Sequence, residues 1–211
     1  GASVSLSGDG NRVAIAAPHT SPFANGTGNA RVFEYNAGNW TQVGSTISVS
    51  GDSVFALSIS LSQDGNRLAA GGRDEVATGF VKVYEFGSGN WSQIGSDMVG
   101  PNLNPLGRNV ALSANGNRVI AGGVGLYDYT QTWEFNGTTW VSGLSTPFYG
   151  TAVSSSDDGL RVVTTEIFSN GYGQVIVFET VAGSGIWSVA GVILEPGLSL
   201  IHISEPTRLA E

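Results

Sequence analysis

The sequence predicts an all-β protein, a β-propeller of four-stranded antiparallel blades. Three marks recur in one order along the 211 residues: a turn motif, an aromatic strand motif and a tryptophan. Their period of roughly 45–55 residues is typical of propeller blades. The copies are DGNR, DGNR, NGNR and DGLR from Asp9, Asp64, Asn115 and Asp158; VFEY, VYEF, TWEF and IVFE from Val32, Val83, Thr132 and Ile176; and Trp40, Trp91, Trp140 and Trp187.

Composition supports short strands joined by tight turns. Hydrophobic residues make up 41% of the chain and charged residues 12%, and there are 31 glycines. The net charge of -8 argues against a nucleic-acid binder, which needs Lys and Arg to displace phosphate counterions. The lack of cysteine excludes disulfides, thiolate metal sites and a cysteine nucleophile.

The first unit shows how each strand is predicted. Ser3 to Ser7 alternates serine with Val and Leu, and Asp9-Gly10-Asn11 then supplies the residues that a tight hairpin requires. Gly-containing and polar segments separate the apolar runs that follow. The four predicted strands are Ser3–Ser7, Arg12–Ala17, Ala30–Tyr35 and Trp40–Ile47.

The later units repeat this plan, with blades expected at about 1–50, 51–100, 101–146 and 147–197. A lone four-stranded sheet exposes two apolar faces, so neighbouring sheets are expected to stack radially. The alternative is a β-sandwich with accidental internal similarity. Because the chain starts at a first strand and no strand remains to complete another blade, we expect an incomplete or open propeller rather than a closed four-bladed ring.

Each unit also predicts an ion pair. In an antiparallel pair, the start of the second strand lies opposite the end of the third. The expected pairs are Arg12 with Glu34, Arg67 with Glu85, Arg118 with Glu134 and Arg161 with Glu179. We interpret them as devices that fix strand register rather than as catalytic groups.

Several segments resemble FG-GAP repeats, the blades of integrin-α-type propellers. LGRNVAL from Leu106 and YGTAV from Tyr149 resemble the opening of those repeats, and AAP from Ala16 and AGG from Ala70 lie where the family has Gly-Ala-Pro. The chain is also similar to tandem SVSLS, DGN and VAIGAP arrays of large surface or secreted microbial proteins. The resemblance covers Gly1 to about Pro196 and implies an extracellular or cell-surface module for adhesion or recognition.

The family's calcium loops are rich in Asp and Asn, and this chain departs from that pattern. Only Asp74, Glu75 and Asp128 offer carboxylates there. Calcium takes about six to eight oxygen ligands, so we expect no metal site and no cofactor, with calcium in one of these loops as the alternative that the resemblance implies.

The C-terminal segment departs from the repeat. Leu198 to Arg208 resembles a translated sequencing adapter, so residues 198–211 are interpreted as a non-native tail and left out of functional reasoning. Alternation in LSLIHIS would also allow a closing strand. The adapter interpretation implies that the natural chain continues.

Candidate catalytic residues are few, and no catalytic site is expected. Outside the tail, His19 is the only histidine, and it lies in a polar loop. Asp157 and Asp158 are adjacent, but Asp158 occupies the hairpin position of Asp9 and Asp64. The glycines of AGGVG from Ala121 lack a following Lys-Ser or Lys-Thr, so they predict close backbone packing rather than a phosphate loop.

The recurring tryptophans admit two interpretations. Trp40, Trp91, Trp140, Trp187 and the additional Trp133 could form platforms for sugar rings, but recurrence at one strand position favours packing between sheets. N-glycosylation patterns begin at Asn25, Asn39, Asn90 and Asn136, and they matter only in a protein secreted by a eukaryote.

These observations predict a non-enzymatic scaffold that binds a protein or a carbohydrate through the loops that differ between blades. A polysaccharide-acting propeller hydrolase or lyase is one alternative, and a structural spacer is the other. No run of about 18 apolar residues predicts a membrane span. The ligand-binding residues and the oligomeric state stay open at this stage.

Overall fold

The computed structural model describes residues 1–18, 28–49, 54–73, 79–100, 106–123, 129–146, 150, 152–167, 173–181, 184 and 186–195. All its regular elements are β-strands, which confirms the all-β prediction. The strands form four separate antiparallel sheets in chain order. None of the described residues belongs to a helix with the length and apolar character that crossing a membrane requires.

Sheets 1 and 2 have the same plan. Sheet 1 contains β1 (Ser3–Leu6), β2 (Arg12–Ala17), β3 (Asn29–Asn36), β4 (Asn39–Gln42) and β5 (Ile47–Ser48). Sheet 2 contains β6 (Val54–Leu61), β7 (Arg67–Arg73), β8 (Gly79–Gly87), β9 (Asn90–Gln93) and β10 (Met98–Val99). The two short outer strands of each sheet pair with the same neighbour, β3 in sheet 1 and β8 in sheet 2.

Sheets 3 and 4 have one continuous outer strand each. Sheet 3 contains β11 (Leu106–Leu112), β12 (Arg118–Gly123), β13 (Tyr129–Phe135) and β14 (Trp140–Thr146). Sheet 4 contains β15 (Val153–Ser155), β16 (Arg161–Ile167), β17 (Gly173–Thr180) and β18 (Trp187–Glu195). Sheets 3 and 4 follow the predicted meander, in which each strand pairs with the next.

The predicted single strand Trp40–Ile47 is wrong in detail, because the structure divides it between β4 and β5. Gly44 has a φ of 70°, and Gly95 in sheet 2 has a φ of 67°. A left-handed residue interrupts the ladder, so the outer strand breaks there. Leu144 takes this position in sheet 3, where β14 runs without a break.

The repeated turn motif closes the first hairpin of every sheet. The Ser7 hydroxyl donates to Asp9 Oδ1 at 2.6 Å, and the backbone N–H of Asn11 donates to the same oxygen at 2.9 Å. The hydroxyl oxygen accepts in turn from the Arg12 N–H at 2.9 Å. These bonds favour the carboxylate and hold the pKa of Asp9 below its ordinary value. The predicted hairpin chemistry is confirmed.

Small side chains let adjacent sheets approach closely. The core between sheets 1 and 2 includes Ala14, Ala16, Phe55 and Leu68, all fully buried. A Cβ added to Gly71 would lie 1.9 Å from the carbonyl oxygen of Gly107, so the backbones of sheets 2 and 3 meet directly there. Alanines of sheet 1 thus pack against larger apolar residues of sheet 2, and the glycines allow direct backbone contact between sheets 2 and 3.

Serine hydroxyls connect the first strands of neighbouring sheets. Ser5 Oγ accepts from the backbone N–H of Leu61 at 2.9 Å, and Ser60 Oγ accepts from that of Leu112 at 3.1 Å. The predicted alternation of the first strand therefore gives it two faces. The serine face supplies hydrogen-bond acceptors to the next sheet, and the opposite face carries the apolar side chains.

The hairpins are also joined by backbone bonds that run from sheet to sheet. Gly8 N–H donates to the carbonyl of Gln63 at 2.7 Å, Gln63 N–H to that of Ala114 at 2.9 Å, and Ala114 N–H to that of Asp157 at 2.8 Å. Extensive contacts run from β1 to β6, from β6 to β11 and from β11 to β15. Among the described strands, the four sheets form an arc in which sheets 1 and 4 do not close into a ring.

Candidate functional site

The predicted arginine-glutamate pairs are confirmed in all four sheets. Each pair occupies directly opposed positions on the second and third strands. The nitrogen-to-oxygen distances are 2.9 Å for Arg12–Glu34, 2.8 Å for Arg67–Glu85, 3.1 Å for Arg118–Glu134 and 3.6 Å for Arg161–Glu179. The first three arginine side chains are largely buried, although the sequence assigned them only a register function.

Arg12 also connects sheet 1 to sheet 2. Its Nη1 donates to the Gly65 carbonyl at 3.2 Å and to Asn66 Oδ1 at 2.6 Å. Its guanidinium carbon lies 5.0 Å from the centre of the Phe86 ring, within cation–π range. Arg12 therefore spans the junction as well as pairing within its own sheet.

Arg67 makes the same contacts between sheets 2 and 3. Its Nη1 donates to the Gly116 carbonyl at 3.2 Å and to Asn117 Oδ1. Its guanidinium carbon lies 5.3 Å from the centre of the Phe135 ring. The first two junctions thus share one arrangement: an arginine, an asparagine and a phenylalanine.

At the third junction the arginine has neither the asparagine nor the phenylalanine that the first two junctions provide. Arg118 Nη1 still donates to the Gly159 carbonyl at 3.2 Å, but Leu160 replaces the asparagine. Thr180 stands at the position of Phe86 and Phe135. Since threonine has no ring, Arg118 has no aromatic face to cover it at this position.

The same replacement affects the tryptophan of sheet 4. In the first three sheets the tryptophan packs on an aromatic neighbour, with ring centres 4.9–5.3 Å apart in Tyr35–Trp40, Phe86–Trp91 and Phe135–Trp140. The corresponding neighbour of Trp187 is Thr180, whose hydroxyl donates to the Ile186 carbonyl. Trp187 thus loses its aromatic neighbour on β17.

A cavity of about 370 Å³ lies at this junction, in the size range of small-ligand sites. We call it the Trp187 cleft. Sheet 4 contributes Thr180, Trp187 and Gly159, and sheet 3 contributes Arg118, Ile120, Thr132, Trp133, Glu134, Phe135, Asn136, Val141, Ser142 and Gly143. Aromatic faces and a paired Arg-Glu therefore surround one space.

The packing interpretation is confirmed for Trp91 and Trp140, two of the four recurring tryptophans, while Trp40 is 47% exposed. Trp91 Nε1 donates to the Val43 carbonyl at 3.0 Å, and Trp140 Nε1 donates to the Ile94 carbonyl at 3.0 Å. Both are buried against the preceding sheet, and Trp133 is buried as well. Trp187 differs because its half-buried ring borders the cleft.

Solved structures with the same architecture include a provisionally assigned 6-phosphogluconolactonase from Bacteroides uniformis, with a TM-score of 0.61 and 14% identity over 91% of this chain. A chain of the mitotic checkpoint complex gives a TM-score of 0.58 and 15% identity over 90%. The β-propeller domain of Cps50 (Swd1) from Myceliophteria thermophila gives 0.56 and 9% over 85%. The four sheets are propeller blades.

This chain spans about half the length of those structures: 54%, 50% and 53% respectively. No family model and no curated protein matches the sequence. At these identities the likeness extends to the fold alone. The predicted propeller fold is confirmed. The lactonase name describes the similar solved structure and not this chain.

Several sequence candidates lie outside the described residues. They are His19, Asp74, Glu75, Asp128, the sequon at Asn25 and the segment 198–211. Within the ranges that the structure describes, no group of three or more His, Cys, Asp or Glu residues could hold a metal ion.

The adjacent aspartates have separate hairpin roles. Asp158 accepts from the Ser156 hydroxyl at 2.5 Å and from the Leu160 N–H at 2.8 Å, and these bonds lower its pKa. Asp157 is exposed, and its backbone carbonyl accepts from Ala114. The predicted turn function of Asp158 is confirmed.

Close backbone packing is also confirmed at one predicted glycine. A Cβ on Gly122 would lie 2.3 Å from the carbonyl oxygen of Gly150 in the next blade.

The sequon residues Asn39, Asn90 and Asn136 are exposed at outer turns.

Sequence reasoning missed the Trp187 cleft, although the signal was present. The residue after the strand glutamate is Tyr35, Phe86, Phe135 and then Thr180. A non-aromatic residue at this position predicts a gap between blades only if the side chain points toward a neighbouring blade. The contacts of Arg12 with Phe86 and of Arg67 with Phe135 show that it points toward the preceding blade.

Proposed function

We propose that this propeller is a non-catalytic recognition scaffold that binds a neutral glycan in the Trp187 cleft. The observation that carries the proposal is the replacement of an aromatic residue by Thr180 at the third junction. It coincides with a cavity bordered by Trp187, Phe135 and Arg118. A pocket with apolar walls and a few polar groups is the general form of a small-ligand site.

The chemistry of the walls favours a sugar. An indole face packs against the C–H face of a pyranose, while side chains of Asn136, Ser142 and Thr180 offer hydrogen bonds to hydroxyl groups. Arg118 is already paired with Glu134 at 3.1 Å, so it has no unbalanced charge for an acidic sugar. The net charge of -8 also disfavours a polyanionic glycan.

An extracellular or cell-surface location belongs to the same proposal. It is supported by the resemblance of LGRNVAL from Leu106 and of the SVSLS, DGN and VAIAAP segments to repeats of adhesion and surface proteins. The glycine-rich, serine-rich and cysteine-free composition is compatible with such repeats. Adhesion to a glycan-bearing surface would then be the biological activity.

A glycan array carrying neutral hexose and uronate oligosaccharides tests the proposal with the full chain. We expect binding of neutral oligosaccharides, followed by a change of tryptophan fluorescence on titration. Trp187→Ala should abolish both signals. Trp40→Ala, which removes the equivalent residue of blade 1, is the matched control and should bind like the unaltered chain.

Two results would contradict the proposal. One is the absence of binding to every glycan on the array. The other is equal binding by Trp187→Ala and the unaltered chain. Mass spectrometry of the recovered oligosaccharide checks the non-catalytic part: an unchanged oligosaccharide is expected, and cleavage would assign the protein to polysaccharide-acting enzymes instead.

A further inference from the structure

The blade 3 wall of the Trp187 cleft differs from the matching surfaces of the other blades. Strand register defines the equivalent residues, because one outer-strand residue lies opposite the strand glutamate of each blade. In blade 3 that outer-strand residue is Val141, and the other blades have a polar residue there: Thr41, Ser92 and Ser188. Two residues before the glutamate, blade 3 has Thr132, and the other blades have valine: Val32, Val83 and Val177.

A third difference is Gly143, which also lines the cleft. Blades 1 and 2 have Val43 and Ile94 at this position, and both pack against the core of their junction. Gly143 does not have the left-handed φ of Gly44 and Gly95, so its backbone conformation does not require glycine. The missing side chain deepens the cleft, and we call the space beside Gly143 the floor of the cleft.

Two hydrogen-bond donors flank this floor. A Cβ on Gly143 would lie 2.7 Å from Thr132 Oγ1 and 3.5 Å from Trp187 Nε1. Thr132 is 5% exposed, and its oxygen accepts from the Leu144 N–H at 2.8 Å, which leaves the hydroxyl proton to donate. The indole N–H groups of Trp91 and Trp140 donate to carbonyls of the preceding blade. Among the residues that the structure describes, neither the Thr132 hydroxyl nor the Trp187 indole donates to an acceptor.

The ligand group that fits this floor is a neutral acceptor. Buried donors require hydrogen-bond partners, and a carbonyl oxygen supplies two lone pairs without bringing a proton of its own. A carboxylate would also accept, but Glu134 borders the cleft and the chain has a net charge of -8. Like charges disfavour an anion there.

The rim of the same wall is apolar. Val141 is 51% exposed at a position that is polar in the other three blades, and it borders the cleft together with the Trp187 ring. Covering exposed methyl groups with an apolar ligand group is favourable. A ligand that carries a carbonyl oxygen beside a methyl group therefore matches both the floor and the rim.

We propose that the Trp187 cleft is specific for an N-acetylhexosamine, an inference that rests on the glycan-binding function proposed above. The acetamido carbonyl oxygen accepts from Thr132 Oγ1 and Trp187 Nε1, and the acetamido methyl group packs against Val141. The sugar ring occupies the aromatic part of the cleft. Thr132 and Gly143 are then specificity-determining residues, because one supplies a donor and the other supplies the space for the acetamido group.

Matched sugars test this specificity with the full chain. Triacetylchitotriose and cellotriose have the same backbone and differ in carrying acetamido or hydroxyl groups, and titration calorimetry measures both dissociation constants. The methyl glycosides of N-acetylgalactosamine and galactose form a second pair. In at least one pair we expect the acetamido sugar to bind about tenfold more tightly, because the hydroxyl sugar lacks the carbonyl that pairs with the two donors.

Two substitutions separate the donors from the rest of the cleft. Trp187→Phe keeps an aromatic ring and removes the N–H, and Thr132→Val introduces the residue of the other three blades. Each should bring the two dissociation constants of a pair closer together. Trp40→Phe, the same change in blade 1, is the matched control and should leave their ratio unchanged. Thermal unfolding identifies the variants that fold, and either folded variant is sufficient for the test.

The outcomes distinguish this inference from the proposed function. Equal affinity for the two members of both pairs would overturn the acetamido specificity and leave neutral-glycan binding intact. Failure of all these sugars to bind would also overturn it, and the glycan array then decides separately whether the chain binds glycans. An unchanged ratio in a folded Trp187→Phe or Thr132→Val variant would contradict the role of that donor.

Discussion

The first two junctions of the arc and the third differ by two side chains, and the difference identifies the cleft. Where Phe86 or Phe135 is present, one ring covers the arginine of the preceding blade and packs on the tryptophan of its own blade. Thr180 can do neither. A single aromatic position therefore decides whether a junction is filled core or a ligand-sized cavity.

The largest expected effect comes from converting the second junction into the third. Phe135→Thr removes the ring beneath Arg67 and beside Trp140. We expect a loss of about 2–3 kcal/mol in the free energy of unfolding, because a large side chain is replaced by a cavity. Denaturant titration measures the change. Tyr35→Thr, at the same position of blade 1, where the side chain is 46% exposed, is the control and should cost far less.

The junction arginines provide the next comparison. Arg67→Gln removes bonds to Glu85, the Gly116 carbonyl and Asn117, and we expect a cost of about 2 kcal/mol. Arg118→Gln loses fewer contacts and should cost about 1 kcal/mol. The Arg161 side chain is 68% exposed, so Arg161→Gln should unfold like the unaltered protein. Equal costs at all three positions would contradict the distinction between junctions.

Filling the cavity at the third junction with an aromatic ring should remove its difference from the first two junctions. Thr180→Phe places a ring beneath Arg118 and beside Trp187, as in the first two junctions. We expect the free energy of unfolding to rise by about 1 kcal/mol and glycan binding to disappear. Thermal unfolding and titration calorimetry measure the two effects. Retained binding in a correctly folded Thr180→Phe variant would contradict the assignment of the cleft.

Acidic pH should change the stability of the blade hairpins unequally. This is the smallest of the expected effects. Burial raises the pKa of the Asp64 carboxyl. The hydrogen bonds from Ser62 and Asn66 and the charge of Arg67 lower this pKa by more than burial raises it, so it lies below the ordinary value of 3.8. The hairpin therefore gains stability from this carboxylate above about pH 4 and loses it as the pH falls through the folded pKa. Asn115 accepts the equivalent bond in blade 3 and does not titrate.

An NMR titration measures this difference. The amide proton of Asn66 should shift with a midpoint below 3.8, while that of Asn117 should show no matching transition. A midpoint for Asn66 at or above the ordinary carboxyl value would contradict the expected direction.

The sequence was sufficient for the features that depend on contacts within one repeat. Asp9-Gly10-Asn11 favours a tight turn through its own local chemistry, and β2 begins and ends at the predicted residues Arg12 and Ala17. The arginine-glutamate pairs follow from antiparallel register alone. Local geometry therefore fixed these predictions.

Contacts between repeats were harder to predict, because they depend on which face of each sheet meets its neighbour. The same arginine that was assigned to register also reaches the next blade, and nothing in DGNR alone indicates that second set of bonds. The break of the outer strand at Gly44 was missed for a related reason, since a glycine in a strand does not by itself specify a positive φ.

The backbone bonds between hairpins have a consequence for how this protein can change over evolution. The residues that donate or accept are Gly8, Gln63, Ala114 and Asp157, four different amino acids at one position of the repeat. Main-chain groups make the contact, so folding excludes proline at Gly8, Gln63 and Ala114, whose N–H groups donate. A Cβ on Gly8 would lie 2.4 Å from Gln63 Cγ, so a larger residue there requires the Gln63 side chain to move. Gln63, Ala114 and Asp157 could acquire new side chains, by mutation or in a designed library, without loss of the main-chain bonds between blades.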